Sequence, residues 1–285
     1  MKRVVVTGAG AISALGNDWT TVRERLASGR NAVVRMPEWA DIKGLNTQLA
    51  APVPPFALPA HYTRKATRSM GRVALIAVLA SEAALADAGL TGHPIITGGR
   101  MGIAYGSSTG TPSAIQDFGR MMTERTTEDI SATTYIRMMP HTTAVNIGVF
   151  FGITGRILTT SSACTSGSQG IGYVNAHGTA TDHGDVAESH ATHAVLGGAV
   201  PVSSLKSYLG HTLGACGALE AWMTIEMMRD SWFAPTVNLV NPDPRCAPLD
   251  YIMGEGRRFD TEYVMSNNFA FGGINTSLVF RRWDA

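Results

Sequence analysis

The feature that most constrains this chain is one short stretch, TTSSACTSGSQGIGYVNAHGT, at residues 159–179. Residues 156–160 predict a strand, and the small residues after them predict a helix beginning near Cys164. Residues 174–177 predict the next strand. A helix begun at Cys164 must therefore run into that strand with no loop. A strand–helix–strand crossover takes a dozen or more residues, and the interval from Thr160 to Val174 barely meets that minimum. The passage is compressed, and the step at Tyr173–Val174 marks a junction between two blocks of sequence.

Strand and helix patterns alternate on both sides of it. Strands are expected at residues 2–7, 100–105, 200–203, 253–259, 263–267 and in the closing SLVFRR. Helices are expected at 68–88, stopped by Gly89, and at 143–151, 185–196 and 214–230. Residues 32–62 read as irregular. This alternation implies a layered α/β fold. Apolar residues make up 45% of the chain, charged residues 16%, and there are 31 glycines. That is the composition of a folded protein with tight turns. A net charge of +1 gives no general reason to expect nucleic acid. No run reaches about 18 apolar residues, so no membrane span is expected. Met-Lys-Arg before VVVTGAGAISALG has the outline of a signal peptide, but Thr7, Gly8 and Gly10 interrupt the apolar run, and a first strand with its turn is the plainer reading. Cys164, Cys216 and Cys246 are an odd and sparse set, which points to a reducing, cytoplasmic setting.

Several local patterns invite chemistry. Gly8-Ala9-Gly10 follows a predicted strand as a dinucleotide loop would, yet Ser13 stands where a third glycine belongs and no acidic residue ends a second strand. A tight strand-to-helix turn accounts for it. Gly106-Ser107-Ser108-Thr109-Gly110 matches a nucleophile elbow, making Ser108 the nucleophile of an alternative serine hydrolase. Ser203-x-x-Lys206 fits the penicillin-binding pattern without a Ser-Asp-Asn partner. His177, His183, His190, His193 and His211 cluster, with Glu188 near, but no cysteine pair or H-E-x-x-H accompanies them, so no metal site is assigned.

Cys164 is the strongest single candidate. Its small neighbours allow a sharp turn, and a helix N-terminus would stabilise a thiolate and hold an oxyanion on free N–H groups. The plainer reading is a buried structural cysteine, which is how Cys216 and Cys246 are read. The partners available to Cys164 favour catalysis. Asn175-Ala176-His177-Gly178-Thr179 ends a strand with a histidine. Lys206-Ser207-Tyr208-Leu209-Gly210-His211 supplies a second histidine and a lysine. Phe269-Ala270-Phe271-Gly272-Gly273 pairs aromatic bulk with backbone freedom, as a gate or oxyanion loop would.

Five motifs taken in order resemble the β-ketoacyl-acyl carrier protein synthases, the elongating condensing enzymes of fatty-acid and polyketide synthesis. They are VVVTGAGAISALG, SSACTSG around Cys164, NAHGTATDHGDVAE around His177, SLKSYLGHTLGACG around His211 and SNNFAFGGIN. The resemblance spans nearly the whole chain. It implies a thiolase-type αβαβα layered sandwich of two related halves, here residues 1–173 with Cys164 and 174–285 with His177 and His211, and usually a homodimer. By the same resemblance Cys164 takes the acyl group, and His177 and His211 serve malonyl decarboxylation and the enolate oxygen. Lys206 holds the local electrostatics, Glu188 supports the site, and the N–H groups of Cys164 and Phe271 form the oxyanion hole with Phe271 as the acyl gate. Two histidines are similar to the elongating type. Arg64, Lys65, Arg68 and Arg72 read alone as a solvated helix face; the resemblance makes them a dock for acyl carrier protein, whose phosphopantetheine carries the substrates. No cofactor of the chain's own is implied.

The chain departs from the family in one respect. Full members carry roughly a hundred or more additional residues between the cysteine and HGT motifs, a large part of a typical domain. The implied fold is thus incomplete here. Open strand edges and apolar faces are expected, and a catalytically silent remnant or scaffold that binds carrier protein is the alternative to an active enzyme.

Overall fold

The structure, a computed structural model, describes residues 4–107, 109–160, 172–270 and 275–283. The chain divides into two compact units, Met1–Ile12 with Pro55–Ala163, and Ser13–Pro54 with Cys164–Ala285. Ser108, Cys164, Phe271, Gly272 and Gly273 lie outside the described residues.

In the first unit the Arg72–Asp87 helix forms where apolar residues recur at helical spacing, and Gly89 at φ +68 ends it in the left-handed region that glycine adopts freely. It packs against the Thr142–Phe151 helix. Met70, Ala74, Val78, Ile103, Ala144 and Ile147 are buried between them and the sheet. That sheet is a parallel pair, Ile103–Gly106 with Ile157–Thr160, in register from Ile103↔Ile157 to Gly106↔Thr160. Two further helices, Pro112–Glu124 and Ala132–Met138, lie beyond those expected; Pro112 in the first turn and the Ser131/Thr134 capping box are the local signals that mark their starts.

The strand expected at residues 2–7 is not formed among the described residues. Val4, Val5 and Val6 are 94%, 54% and 54% exposed and no described strand pairs with them. β-Branched residues alone do not make a strand, because a strand needs a neighbour to take its N–H and C=O groups. Leu158 at 53% and Val149 at 76% exposure leave further apolar surface open in this unit.

Gly8 and Gly10 have a packing reason. A Cβ on Gly8 would stand 2.5 Å from the Ala84 carbonyl oxygen, and one on Gly10 would stand 2.3 Å from that of Ala80. The Ala9 N–H, which would face a phosphate in a nucleotide loop, donates to Asp87 Oδ2 at 2.8 Å. The small-residue face of the Arg72–Asp87 helix is thus pressed against the glycine turn. Gly10→Ala is expected to cost about 1–3 kcal/mol, the range for overpacking, seen as an earlier urea midpoint. An unchanged midpoint would show that this contact contributes nothing.

The second unit carries a five-stranded sheet. Its order is Asn275–Arg281, Tyr263–Phe269, Val174–Asn175, Pro201–Ser203, Asp250–Tyr251. The first pair is antiparallel and the others are parallel, with Met265↔Val174 and Val174↔Val202 in register. Val174, Val202 and Met265 are buried under Leu196, Val200 and Leu249. The Cys216–Arg229 helix packs on Tyr263–Phe269. Pairing with Tyr263–Phe269 reaches upstream of Val174: Gly172 N donates to the Tyr263 carbonyl and Met265 N to that of Tyr173. Tyr173 is fully buried, its ring 4.3 Å from Phe233 and its hydroxyl 2.8 Å from Ser203 Oγ. Both sides of the Tyr173–Val174 step therefore belong to one extended segment.

The strand expected at 253–259 shrinks to Arg257–Arg258, paired with Trp232–Phe233. Gly254 adopts φ +70, and Gly256 lies so close to Trp232 that a Cβ would stand 2.2 Å from its ring. These two glycines turn the backbone out of the extended course the sequence suggests. No helix among the described residues is long and apolar enough to cross a membrane.

Candidate active site

His177 leaves the sheet for a specific reason. Ala176 N still donates to the Ser203 carbonyl at 2.8 Å, continuing the ladder. The next two N–H groups turn instead to Glu188 on the Gly184–Leu196 helix, His177 N to Oε1 and Gly178 N to Oε2, both at 2.8 Å. One carboxylate captures two successive backbone donors, so the strand ends at Asn175 and not at His177. Asn267 Nδ2 donates to the same Oε1 at 3.3 Å. Burial pushes the Glu188 carboxyl up, and these three donors pull it back.

The two histidines of the resemblance meet. Their ring centroids are 5.0 Å apart at 88°, edge to face, and Phe269 closes on His177 at 5.9 Å. His211 follows the short Lys206–Leu209 helix, whose chain is turned by Gly210 at φ +70. His177 is buried and His211 is exposed. Burial first, then the positive charge of Lys206 and the neighbouring His211, pull His177 down to about 4; a hydrogen bond with Asn268 works the other way. Burial and Lys206 also lower His211. Near pH 7 the site therefore holds two neutral imidazoles, able to donate or accept a hydrogen bond without carrying charge.

Lys206 is buried, with Nζ 2.6 Å from Glu220 Oε1 in the Cys216–Arg229 helix. Both side chains are nearly inaccessible, at 4% and 2% exposure. Burial pushes the Glu220 carboxyl up to about 7 against the pull of Lys206. Sequence reasoning missed Glu220; its signal was an acidic residue within the apolar run ACGALEAWM. It also missed Asn268, which is buried and accepts a hydrogen bond from Cys216 Sγ at 2.8 Å. Cys216, read as structural, is thus bound to the strand that carries Asn268 and Phe269.

The weaker patterns dissolve into ordinary contacts. Ser203 is bound by Tyr173 and Lys206 by Glu220, so the two do not form a Ser–Lys pair. His190 Nε2 meets the Arg245 carbonyl at 2.9 Å, and among the described residues no group of three or more His, Cys, Asp or Glu could hold a metal ion. A cavity of about 730 Å³ reaches Lys206 and His211, walled by Thr179, Ser207 and Thr236. In the other unit Arg64, Lys65, Arg68 and Arg72 are all exposed, the first two on a short helix capped by Thr63.

Known proteins share this arrangement of fold and motifs. The β-ketoacyl synthase N-terminal domain family matches residues 1–176 and the C-terminal domain family residues 157–240. The 3-oxoacyl-[acyl-carrier-protein] synthase 2 of Synechocystis is 42% identical over 116 residues, which are 40% of this chain and only 28% of that protein. The Staphylococcus aureus (strain COL) protein of the same name aligns at 24% identity over 413 positions, covering all of this chain and 99% of its own. An alignment of that length holds many more positions than the 285 residues here, so this chain is shorter than that relative. A crystal structure of a β-ketoacyl synthase from Burkholderia phymatum superposes with a TM-score of 0.94 at 43% identity, covering both chains in full. The ishigamide ketosynthase/chain length factor gives 0.86 at 20% identity over 99% of this chain and all of that one. A family match over more than half the chain and a full-length superposition at 43% identity agree with the site: the fold is the thiolase-type α/β fold, and the chain belongs to the β-ketoacyl synthase family.

Proposed function

We propose that this chain catalyses the decarboxylative condensation of its family, in fatty-acid or polyketide synthesis. The observation that carries the reading is the pair of neutral imidazoles, His177 and His211, edge to face beside the buried Lys206–Glu220 pair. Cys164 thiolate attacks an acyl thioester, and the carrier's thiol leaves. A malonyl thioester then occupies the cavity at Lys206 and His211. The histidines donate hydrogen bonds to its thioester oxygen, where charge gathers as the C–C bond to the carboxylate breaks and CO₂ departs. The resulting carbanion attacks the acyl carbon on Cys164. The N–H groups of Cys164 and Phe271 hold the oxyanion, and its collapse expels the Cys164 thiolate and releases the β-ketoacyl thioester. Phe271 serves as gate, with Phe269, Gly272 and Gly273 supporting that loop.

The partner in this reading is an acyl carrier protein, docked by Arg64, Lys65, Arg68 and Arg72, whose exposure suits an acidic surface. Phosphopantetheine comes with the carrier, so the chain needs no cofactor of its own. We further infer a cytoplasmic homodimer. The second reading, a carrier-binding scaffold without turnover, is favoured by this chain's being much shorter than the relative it aligns with end to end.

The test uses the purified chain with acyl- and malonyl-loaded carrier protein. The expected result is release of CO₂ with formation of β-ketoacyl carrier, and a single thiol-directed label on Cys164 in the mass spectrum. Cys164→Ala should abolish condensation; unchanged condensation in that variant would end the assignment. Carrier binding weakened by charge reversal at Arg64 and Arg68, with no turnover by the parent chain, would establish the scaffold instead.

A further inference from the structure

The cavity that reaches Lys206 and His211 is crossed by a charge cluster that the proposed chemistry does not use. Residues 179–185 supply one of its walls, and residues 237–246, a segment without helix or strand, supply another. That segment is tied down at both ends. Val237 N donates to Ser207 Oγ at 3.1 Å, and Ala247 N donates to Ser189 Oγ at 2.9 Å.

Between its ends the segment is held through Arg245. Arg245 Nη2 donates to Asp182 Oδ1 at 2.7 Å and to Asp243 Oδ2 at 2.6 Å, and Nε reaches both oxygens of Asp243 at 3.1 Å. The Arg245 carbonyl meets His190 Nε2 at 2.9 Å. Asp243 is two residues away in the same segment, so that pair shapes only the segment's own turn. Asp182 lies 63 residues earlier, so its pair with Arg245 joins one wall to the other. The second Asp182 oxygen is 3.9 Å from His183 Nε2, too far for a hydrogen bond. The Asp182 and Arg245 side chains are 71% and 54% exposed, whereas Glu188 and Lys206, which line the same cavity, are buried. The crossing pair therefore stands at the outer end, on the way from solvent to Lys206. An exposed ion pair contributes little and is screened by salt. It is strong enough to bias the segment towards the facing wall and weak enough to release it.

We infer that Arg245 is the positioning residue of the cavity mouth: its bond to Asp182 latches residues 237–246 across the entrance, and its release opens the way to Lys206 and His211. Arg245 forms no bond with substrate and acts through the wall that it holds. The inference rests on the proposed condensation only for what enters, an acyl or malonyl thioester.

Cys246, half-buried on the latched segment and lining the cavity, reports the opening. The full chain is treated with a neutral maleimide at fixed pH, and the label on Cys246 is followed by peptide mass, apart from Cys164 and Cys216. Asp182→Asn keeps the Arg245–Asp243 pair and removes only the crossing one. It should label Cys246 about two- to fivefold faster than the parent, the shift in opening that an exposed ion pair supplies. Raising salt from about 0.01 M to about 1 M shortens the screening distance from about 30 Å to about 3 Å. That should bring the parent up to the rate of Asp182→Asn and leave the variant unchanged, a response that a role in packing alone would not give. An unchanged rate in Asp182→Asn would overturn the inference. So would an equal salt response in both chains. A rate that rises in step with an earlier urea midpoint would overturn it too, since global unfolding would then expose Cys246. A parent chain that does not decarboxylate malonyl thioester at all defeats the proposed function alone, because the labelling still decides the role of Arg245.

Discussion

His177→Ala is expected to lower malonyl-thioester decarboxylation by about 10²–10⁴-fold, the usual worth of a positioned proton-handling group. The ring lies against His211 and Phe269, so its removal leaves His211 as the one imidazole at the place where enolate charge would form. Acyl transfer to Cys164 should survive much better, because the malonyl oxygen takes no part in that step. Release of CO₂ and covalent labelling of Cys164 by an acyl thioester measure the two separately. Parent-like decarboxylation in His177→Ala would remove the role given to this residue. The pH profile provides a second reading. Burial and Lys206 hold His177 near 4, so the neutral ring persists as pH falls through 6.5, where an ordinary histidine would charge. The rate should show no inflection from His177 near 6.5. Folding stability carries the opposite mark. The unfolded chain takes up the proton at higher pH than the native ring does, so this group lowers stability as pH falls from about 6.5 to about 4.

Lys206→Ala is expected to cost about 3–5 kcal/mol of folding stability, the range for breaking a buried pair and leaving one charge without a partner. Above the pH at which Glu220 ionises, its carboxylate would be the charge left behind, in a site 2% exposed. Lys206→Ala combined with Glu220→Gln should recover most of the loss, since no buried charge remains. Urea unfolding of the parent, the single variant and the double variant measures both terms. A double variant as unstable as Lys206→Ala would show that packing and not charge sets the cost. The pair also predicts a slope with pH. Native Glu220 titrates near 7, above its ordinary 4.5, so the native state holds this proton more tightly than the unfolded chain. Its contribution to stability therefore falls as pH rises from about 4.5 to about 7. Glu220→Gln should flatten the curve across that window. Without Lys206 to pull the carboxyl down, the Lys206→Ala loss should be larger at pH 8 than at pH 6.

Much of the second unit was legible from residue order. The helices at 185–196 and 214–230 form within two residues of expectation, as Gly184–Leu196 and Cys216–Arg229, and the closing strands form as Tyr263–Phe269 and Asn275–Arg281. The failures have particular causes. Residues 4–7 have the composition of a strand, but pairing needs a neighbour that the described residues do not provide. The 174–177 strand stops early because Glu188, 11 residues on, takes the His177 N–H. The 253–259 strand is cut by the turn at Gly254 and the contact of Gly256 with Trp232.

By itself the sequence determined the family, through five ordered motifs, and it singled out His177 with His211 and Glu188, which the structure sets against it. It also located the compressed passage near Tyr173, because spacing along a chain is visible without coordinates. Only the tertiary structure decided that Lys206 pairs with Glu220 and that Cys216 holds Asn268. Those partners lie 14 and 52 residues apart, and no periodicity links them. Helix and strand repeats report which face of an element is buried. Which buried polar group satisfies which other one depends on how the elements pack, and in this site the balance of charge around His177 follows from that packing.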